Sequence, residues 1–298
     1  MNARERFFTT MRHEEPDRVP YHLLLYAALI KGLEERLPPG TDHREHFDEA
    51  VYIIPVDYPE YANINLQKNE FPLPTVEAVE KAAREVERVK EMGRVACNGY
   101  FPGIFEHFKK FTSDEYALTH MMLEPEDAAL QITRITDWLR ALFDRIAPAR
   151  FDICFNGDDI GTQKSTIMGL DSYREFYKPN HIKLIESIKA SNPQAAVAFH
   201  CCGHLHTIVP EWIEIGADII HSVQPEANDL RFLKERFGRD IVFWGGIGLQ
   251  TAFSEDAIRE TLAIMSPGGG YIAATSNYTT DEVPIETILR AYAVLTNQ

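Results

Sequence analysis

The chain has 298 residues, 45% of them hydrophobic, and a formal net charge of −15. This length can bury a large core as one domain or two. The acidic balance, without basic stripes or blocks, argues against nucleic-acid and anionic-membrane partners. No run approaches the roughly 20 consecutive apolar residues that cross a bilayer, and four cysteines are too few for a disulfide framework. The N-terminal residues lack the apolar segment of a signal peptide, so we expect a soluble, cytoplasmic protein.

Segments with the composition of β-strands recur along the whole chain. The first three are RVPYHLLLY, AVYIIPV and RVACNGYF; the helical VEAVEKAAREVERVKEMG precedes the third, and a long helix from about Glu126 to Ile146 follows it. From Phe151 onward, five strands alternate with helices: FDICFNGDD, AAVAFHCCG, DIIHSVQPE, DIVFWGGIG and GGYIAATSN. Such alternation indicates a parallel sheet. Eight strands with no dividing linker predict one α/β domain, residues 1–298, folded as a (β/α)₈ TIM barrel, with an open doubly wound sheet as the alternative.

Each of the last five predicted strands ends in polar or reactive residues. Barrel enzymes build their sites from the loops at the C-terminal ends of the strands, so we expect these side chains to share one rim. In chain order they are Asn156, Asp158 and Asp159; His200, Cys201 and Cys202; His221, Gln224 and Glu226; Trp244; and Ser276, Asn277 and Tyr278.

The stretch AFHCCGH carries the most specific chemistry of this rim. Strand side chains alternate between faces, so His200 and Cys202 point the same way and Cys201 points oppositely. Zinc accepts imidazole nitrogen and thiolate together, and the pair could therefore supply two ligands. In the alternative interpretation both cysteines are small buried hydrophobes and His200 is a hydrogen-bonded core residue. We expect Cys201 to be structural.

Two adjacent carboxylates, Asp158 and Asp159, also permit two interpretations. They could act on a substrate, or they could cap the following loop or the helix that starts near Asp171. A serine nucleophile of the Gly-x-Ser-x-Gly type is not indicated, because that motif is absent.

Several segments together resemble the uroporphyrinogen decarboxylase superfamily: RERFFTTMRHEEPDRVP, DDIGTQ, MGLDSYREFYKP, HCCG, QPEANDLRFLKERFG, FWGGIG, GGGYIAA and PIETILRAY. The resemblance covers most of the chain and implies a (β/α)₈ barrel. It also implies one of two chemistries. One is cofactor-free decarboxylation of uroporphyrinogen, and the other is zinc-dependent methyl transfer between a corrinoid and a thiol or methylated substrate.

The residues favour the second chemistry. True uroporphyrinogen decarboxylases carry an arginine-rich segment after the first strand, which here reads YHLLLYAALIKGLEERLPPG without an arginine cluster. The methylcobalamin:coenzyme M branch holds zinc with a His-x-Cys pair on the fifth strand, which His200 and Cys202 match. Its third ligand is a cysteine after the last strand, where this chain offers Ser276 or Asn277. A carboxylate such as Asp159 or Glu226, or His221, could complete the shell.

The resemblance thus implies a zinc-dependent methyltransferase of corrinoid metabolism, with Zn²⁺ on His200 and Cys202 and with cobalamin on a separate carrier protein. Its small-molecule partner would be a thiol or a methylated compound. Alternatives are uroporphyrinogen decarboxylase, a carboxy-lyase, and a barrel that binds a ligand without catalysis. Methyl donor, methyl acceptor and oligomeric state stay open. We expect Asp158, Asp159 and Gln224 to orient the substrate, with contacts from Asn156, Glu226, Trp244, Ser276, Asn277 and Tyr278.

Overall fold

The strands of the computed structural model form one parallel sheet that is nearly closed into a barrel. The structure describes residues 1–58, 71–99, 101–249 and 253–298. Strand order is β1-β8-β7-β6-β5-β4-β3-β2, and at the remaining seam the Ala50 N–H donates to the Tyr21 carbonyl at 2.8 Å. The predicted (β/α)₈ barrel is therefore confirmed. The strands are β1 (Tyr21–His22), β2 (Val51–Ile53), β3 (Val95–Cys97), β4 (Ile153–Gly157), β5 (Ala196–His200), β6 (Ile219–Ser222), β7 (Val242–Ile247) and β8 (Tyr271–Thr275).

Helices surround the barrel and alternate with the strands along the chain. Within the described residues none combines the length and the apolar character that a bilayer-spanning helix needs. A 3₁₀ turn, Ala147–Ala149, and a π-helical turn, Tyr173–Tyr177, extend two of them. The α-helices are α1 (Ala3–Met11), α2 (Ala27–Glu34), α3 (His43–His46), α4 (Val76–Glu91), α5 (Ile104–Phe111), α6 (Asp114–Leu123), α7 (Pro125–Ile146), α8 (Leu170–Ser172), α9 (Lys178–Ser191), α10 (Val209–Glu214), α11 (Leu230–Phe237), α12 (Glu255–Met265) and α13 (Ile285–Thr296).

The core has two layers, which follow from the alternation of side chains along each strand. In β4, Ile153 and Phe155 point into the barrel, whereas Cys154 packs in the outer layer between sheet and helices. Helix α1 closes the barrel at the strand starts: Phe7 is fully buried in the inner layer, and the Arg4 N–H donates to the Gly93 carbonyl just before β3. The opposite end, where the strands finish, is left for the polar rim.

Candidate active site

Three side chains at the C-terminal mouth of the barrel bring a nitrogen, a sulfur and an oxygen together. His200 Nε2 lies 3.5 Å from Cys202 Sγ and 3.4 Å from an Asp159 carboxylate oxygen. All three candidate ligand atoms lie within 4.8 Å of one another. Imidazole, thiolate and carboxylate are the ligands that zinc takes in proteins. The structure thus joins the predicted pair to Asp159. We call these three residues the metal cluster.

The two neighbouring cysteines have different environments. Cys201 is fully buried in the outer core, and its thiol donates to the Cys202 carbonyl at 3.1 Å. Cys202 is half-buried at the rim, and its N–H donates to the Asp159 carboxylate at 2.6 Å. The loop that carries Asp159 can approach this closely because of Gly161, where a Cβ would lie 2.2 Å from the Cys202 carbonyl oxygen. Only Cys202 is therefore placed for metal binding.

His200 is held from inside the barrel by His221. The two Nδ1 atoms lie 2.7 Å apart, and His221 is fully buried against Trp244, with ring centroids 4.8 Å apart. Burial lowers the pKa of both histidines, and the neighbouring His200 further lowers that of His221, so both rings are neutral near pH 7. If the shared proton resides on His200 Nδ1, Nε2 keeps the lone pair that a metal needs.

The thiol of Cys202 is in its protonated form when no cation is near. Burial and the charge of Asp159 together raise the pKa of Cys202 to about 12. A divalent cation bound among these side chains would reverse this effect, because a metal favours the thiolate. The electrostatics of the cluster therefore favour a cation.

Asp158 lies beneath the metal cluster and caps a helix. It is fully buried, and its carboxylate accepts the backbone N–H groups of Ile104, Phe105 and Glu106 at 3.1, 2.8 and 3.1 Å. His181 Nε2 lies 2.6 Å from its second oxygen. The residue thus anchors α5 to the end of β4. The capped helix is α5 and not the helix near Asp171 that the sequence suggested.

A cavity of about 300 Å³ adjoins the metal cluster. The link is Asn277, whose Nδ2 lies 3.6 Å from Cys202 Sγ. Gln224 joins the loops after β5 and β6, since its side-chain oxygen accepts the Gly203 N–H at 2.5 Å. The structure thus brings five predicted residues into one wall with two that the sequence reasoning missed, Tyr26 and Leu249. The lining consists of Tyr26, Gln224, Glu226, Leu249, Ser276, Asn277 and Tyr278.

Two residues expected to touch substrate lie elsewhere. Asn156 is fully buried and, by the alternation along β4, shares the helix-facing side with Cys154. Trp244 is fully buried inside the barrel beneath His221. Neither lines the cavity. Asn156 therefore lies on the helix-facing side of its strand, and Trp244 lies below the rim inside the barrel; the sequence does not show how far each strand extends above the core.

Glu106 is a rim residue that the sequence reasoning missed. Its charge is near enough to raise the pKa of Cys202, and its carboxylate pairs with Lys109 at 2.5 Å. It lies in helix α5, whereas the candidate site residues were all chosen at the ends of predicted strands. That criterion could not identify Glu106.

Comparisons with known proteins agree with this architecture. The family model described as Uroporphyrinogen decarboxylase (URO-D) matches residues 55–296. No curated protein matches the sequence. Among solved structures, a methyltransferase from Methanosarcina mazei has 15% identity and a TM-score of 0.73, with 100% of this chain and 98% of that chain covered.

Two further structures share the fold at lower similarity. A B12-independent methionine synthase from Shewanella sp. W3-18-1, in complex with selenomethionine, has 14% identity and a TM-score of 0.51, with coverage of 73% of this chain and 65% of that chain. A psychrophilic family 10 endo-β-1,4-xylanase has 8% identity and a TM-score of 0.52, with both chains fully covered. At these identities the likenesses show the barrel fold alone.

Proposed function

The chain belongs to the uroporphyrinogen decarboxylase family, whose model matches residues 55–296, and from this premise we propose that it is a zinc-dependent methyltransferase. It would move a methyl group between a corrinoid and a small thiol or methylated substrate. The observation that carries the proposal is the metal cluster, which puts His200, Cys202 and Asp159 together at the barrel mouth. The fold shared with the M. mazei methyltransferase is consistent with it.

The donor set of the cluster fits zinc. Three protein ligands with one nitrogen, one sulfur and one oxygen leave a coordination position open, as in catalytic zinc sites. When bound, zinc supplies Lewis acidity that activates a thiol or a methyl-bearing heteroatom. His221 would accept the His200 Nδ1 proton and hold the ring in its binding orientation. The Asp159 carboxylate also accepts the backbone N–H of Cys202. One carboxylate would therefore both position Cys202 and offset part of the positive charge of the metal.

The cavity beside the cluster would hold the small substrate. Asn277 lies between the cavity and Cys202, so a ligand seated there has one end directed at the metal cluster. Gln224 would orient this ligand through its amide, and Asp158 would act indirectly by fixing α5. Cobalamin would be carried by a separate protein that docks over the strand ends.

Metal content tests this proposal, with the two adjacent cysteines as a matched pair. Protein purified without chelator should contain about one zinc per chain, and Cys202→Ala should remove most of it because a thiolate is a principal anchor. Cys201→Ala should keep the metal and lower the free energy of unfolding by about 1 kcal/mol through lost packing. Less than about one tenth of an equivalent after zinc supplementation, or unchanged metal content in both variants, contradicts the proposal.

A second candidate function is a barrel that binds its ligand without catalysis. The observation that favours it is Asn277, which occupies the place beside Cys202 where the resemblance implies a third cysteine ligand. Free cobalamins separate the candidates, because methyl transfer changes their visible spectra. Methylcobalamin gives its methyl group to a thiolate and becomes cob(I)alamin, whereas cob(I)alamin, kept reduced in the assay, takes a methyl group from a methylated compound. Zinc binding with no spectral change, either for methylcobalamin with a series of small thiols or for cob(I)alamin with a series of methylated compounds, would favour the non-catalytic barrel.

A further inference from the structure

The walls of the cavity beside the metal cluster have a charge that defines a ligand class. We infer that this cavity binds small molecules with a cationic head group, such as a quaternary ammonium. That the ligand is a methyl donor or acceptor rests on the proposed function, whereas its charge preference follows from the walls alone.

The charged side chains at the cavity have one sign. Glu226 lines it, and Asp159 belongs to the adjoining cluster. Among the described residues that line it, none is a lysine or an arginine. Lys109, a cation among the described residues near this rim, is paired with Glu106, and its ammonium lies 4.8 Å from the Phe105 ring centroid. A sulfonate or carboxylate head group at the Glu226 end of the cavity would lose hydration without meeting a lysine or an arginine among the described lining residues.

Two hydrogen-bond donors of the wall are also engaged. The Ser276 hydroxyl donates to the Ile247 carbonyl at 3.0 Å, and an Asn277 amide N–H points at Cys202 Sγ. The Gln224 side-chain oxygen accepts the Gly203 N–H, so it contributes no donor to an anion. An anionic head group that used Ser276 or Asn277 would have to displace the bonds these side chains already make, whereas a quaternary ammonium needs no donor at all.

Aromatic rings complete the wall. Tyr26 and Tyr278 stack with centroids 5.3 Å apart and planes 9° from parallel. Each ring of this stacked pair covers one face of the other, so the outer faces are the ones that can attract a cation, and this attraction adds to that of a nearby carboxylate. A volume of about 300 Å³ suits a small ligand, and Asn277 directs such a ligand toward the metal cluster.

Three thiols with the same two-carbon chain and with cationic, neutral and anionic head groups test the inference. They are thiocholine, 2-mercaptoethanol and 2-mercaptoethanesulfonate. Because their sizes and thiol pKa values also differ, the effect of a charge-removing substitution on their order of affinities is the deciding measurement. Calorimetric titration of the zinc-loaded protein should show thiocholine binding about five- to tenfold more tightly than 2-mercaptoethanol, with the sulfonate weakest. Glu226→Gln should remove most of this preference. An equal or reversed order of affinities overturns the inference.

Glu87→Gln is the matched control, because it removes the same charge at the opposite end of the barrel. Glu87 is exposed on α4 and lines a groove beside the residues that precede β4. It should keep the full preference for thiocholine. A preference that Glu226→Gln and Glu87→Gln reduce equally would reflect overall charge and would contradict a cationic site.

Choline and isethionate, which carry the same head groups without a thiol, separate this inference from the proposed function. Titrated into metal-free protein, choline should bind more tightly than isethionate. If this holds in a protein that takes up no zinc, the proposed function fails and the cationic site stands. If the zinc-loaded protein binds all three thiols equally tightly, the result supports the metal site and contradicts the preference of the cavity for cations.

Discussion

Two consecutive aspartates have different structural roles at this site. The Asp158 carboxylate is buried under the N-terminus of α5, where three backbone N–H groups and His181 surround it. The Asp159 carboxylate is about 40% exposed at the rim beside His200 and Cys202. Adjacent residues diverge in this way because both follow the end of β4 at Gly157 and their side chains point to different layers.

Substitution of each aspartate should therefore affect a different property. Asp158→Ala leaves several buried donors without an acceptor, so the free energy of unfolding should fall by about 2–4 kcal/mol. Asp159→Ala should change stability by less than about 1 kcal/mol and should weaken zinc binding at least about tenfold. Urea unfolding and chelator competition measure the two effects. Equal loss of stability in both variants would contradict these roles.

Residue-level prediction succeeded where a local rule sufficed. The period of two along a strand places His200 and Cys202 on one side and Cys201 on the other. It could not choose Asp159 among the possible third ligands, because that contact joins the ends of two different strands. Tyr26 was missed for the same reason: its partner Tyr278 is distant in sequence, and only the barrel brings the two rings together.

At the scale of elements, the seam between β1 and β2 is closed with the help of a buried carboxyl. Glu49 precedes β2 and is fully buried; it accepts the Leu23 N–H at 3.4 Å and the Tyr292 hydroxyl of α13. Burial raises the pKa of Glu49 to about 8. The folded protein thus holds a proton on this residue at pH values where the unfolded chain has lost it.

Stability should consequently depend on pH through Glu49. Between its unfolded pKa of about 4.3 and its folded pKa of about 8, the folded state binds the extra proton, so the free energy of unfolding falls as pH rises, by at most about 1.4 kcal/mol per pH unit. Glu49→Gln keeps a hydrogen-bonding side chain and should remove this contribution. Urea unfolding from pH 5 to 9 measures it as the difference between the two proteins.

That difference isolates Glu49 from other titrating groups. Buried histidines act in the opposite direction in both proteins; for His22, burial lowers the pKa to about 3. A difference in stability between the two proteins that stays constant from pH 5 to 9 would contradict the assignment.

Most elements were predictable from patterns of hydrophobic residues, with that of β2 the weakest. They are the eight strands and the helices α4, α7, α9, α10, α11, α12 and α13. Helix α5 was missed for a physical reason. Its N-cap residue is Gly103, which has no side chain to cap it, and the capping carboxylate comes from Asp158 far along the chain. The closure of the sheet into a barrel could likewise not be predicted from the sequence, because the hydrogen bond between Ala50 and Tyr21 depends on tertiary structure.

At the scale of the whole molecule, charge distinguishes between the chemistries of the family. The chain carries a net charge of −15, and a carboxylate lines the cavity. In the stretch YHLLLYAALIKGLEERLPPG, which begins with β1, the single arginine is Arg36, and it pairs with Glu286 at 2.8 Å. A substrate with eight carboxylates would therefore meet a cavity in which no described lining residue is a lysine or an arginine that could offset repulsion and desolvation.

The protein should accordingly not convert uroporphyrinogen. An anaerobic assay, with the products oxidised to porphyrins and separated by chromatography, would measure coproporphyrinogen formation, and an active uroporphyrinogen decarboxylase run in parallel would show that the substrate is intact. The cavity of about 300 Å³ is at the small end for ligand sites, which adds a steric reason to the electrostatic one. Because the two reasons act independently, neutralising Glu226 by Glu226→Gln should not create the activity. Coproporphyrinogen formation by the parent protein at a rate near that of the parallel enzyme would place the chain in the decarboxylating branch.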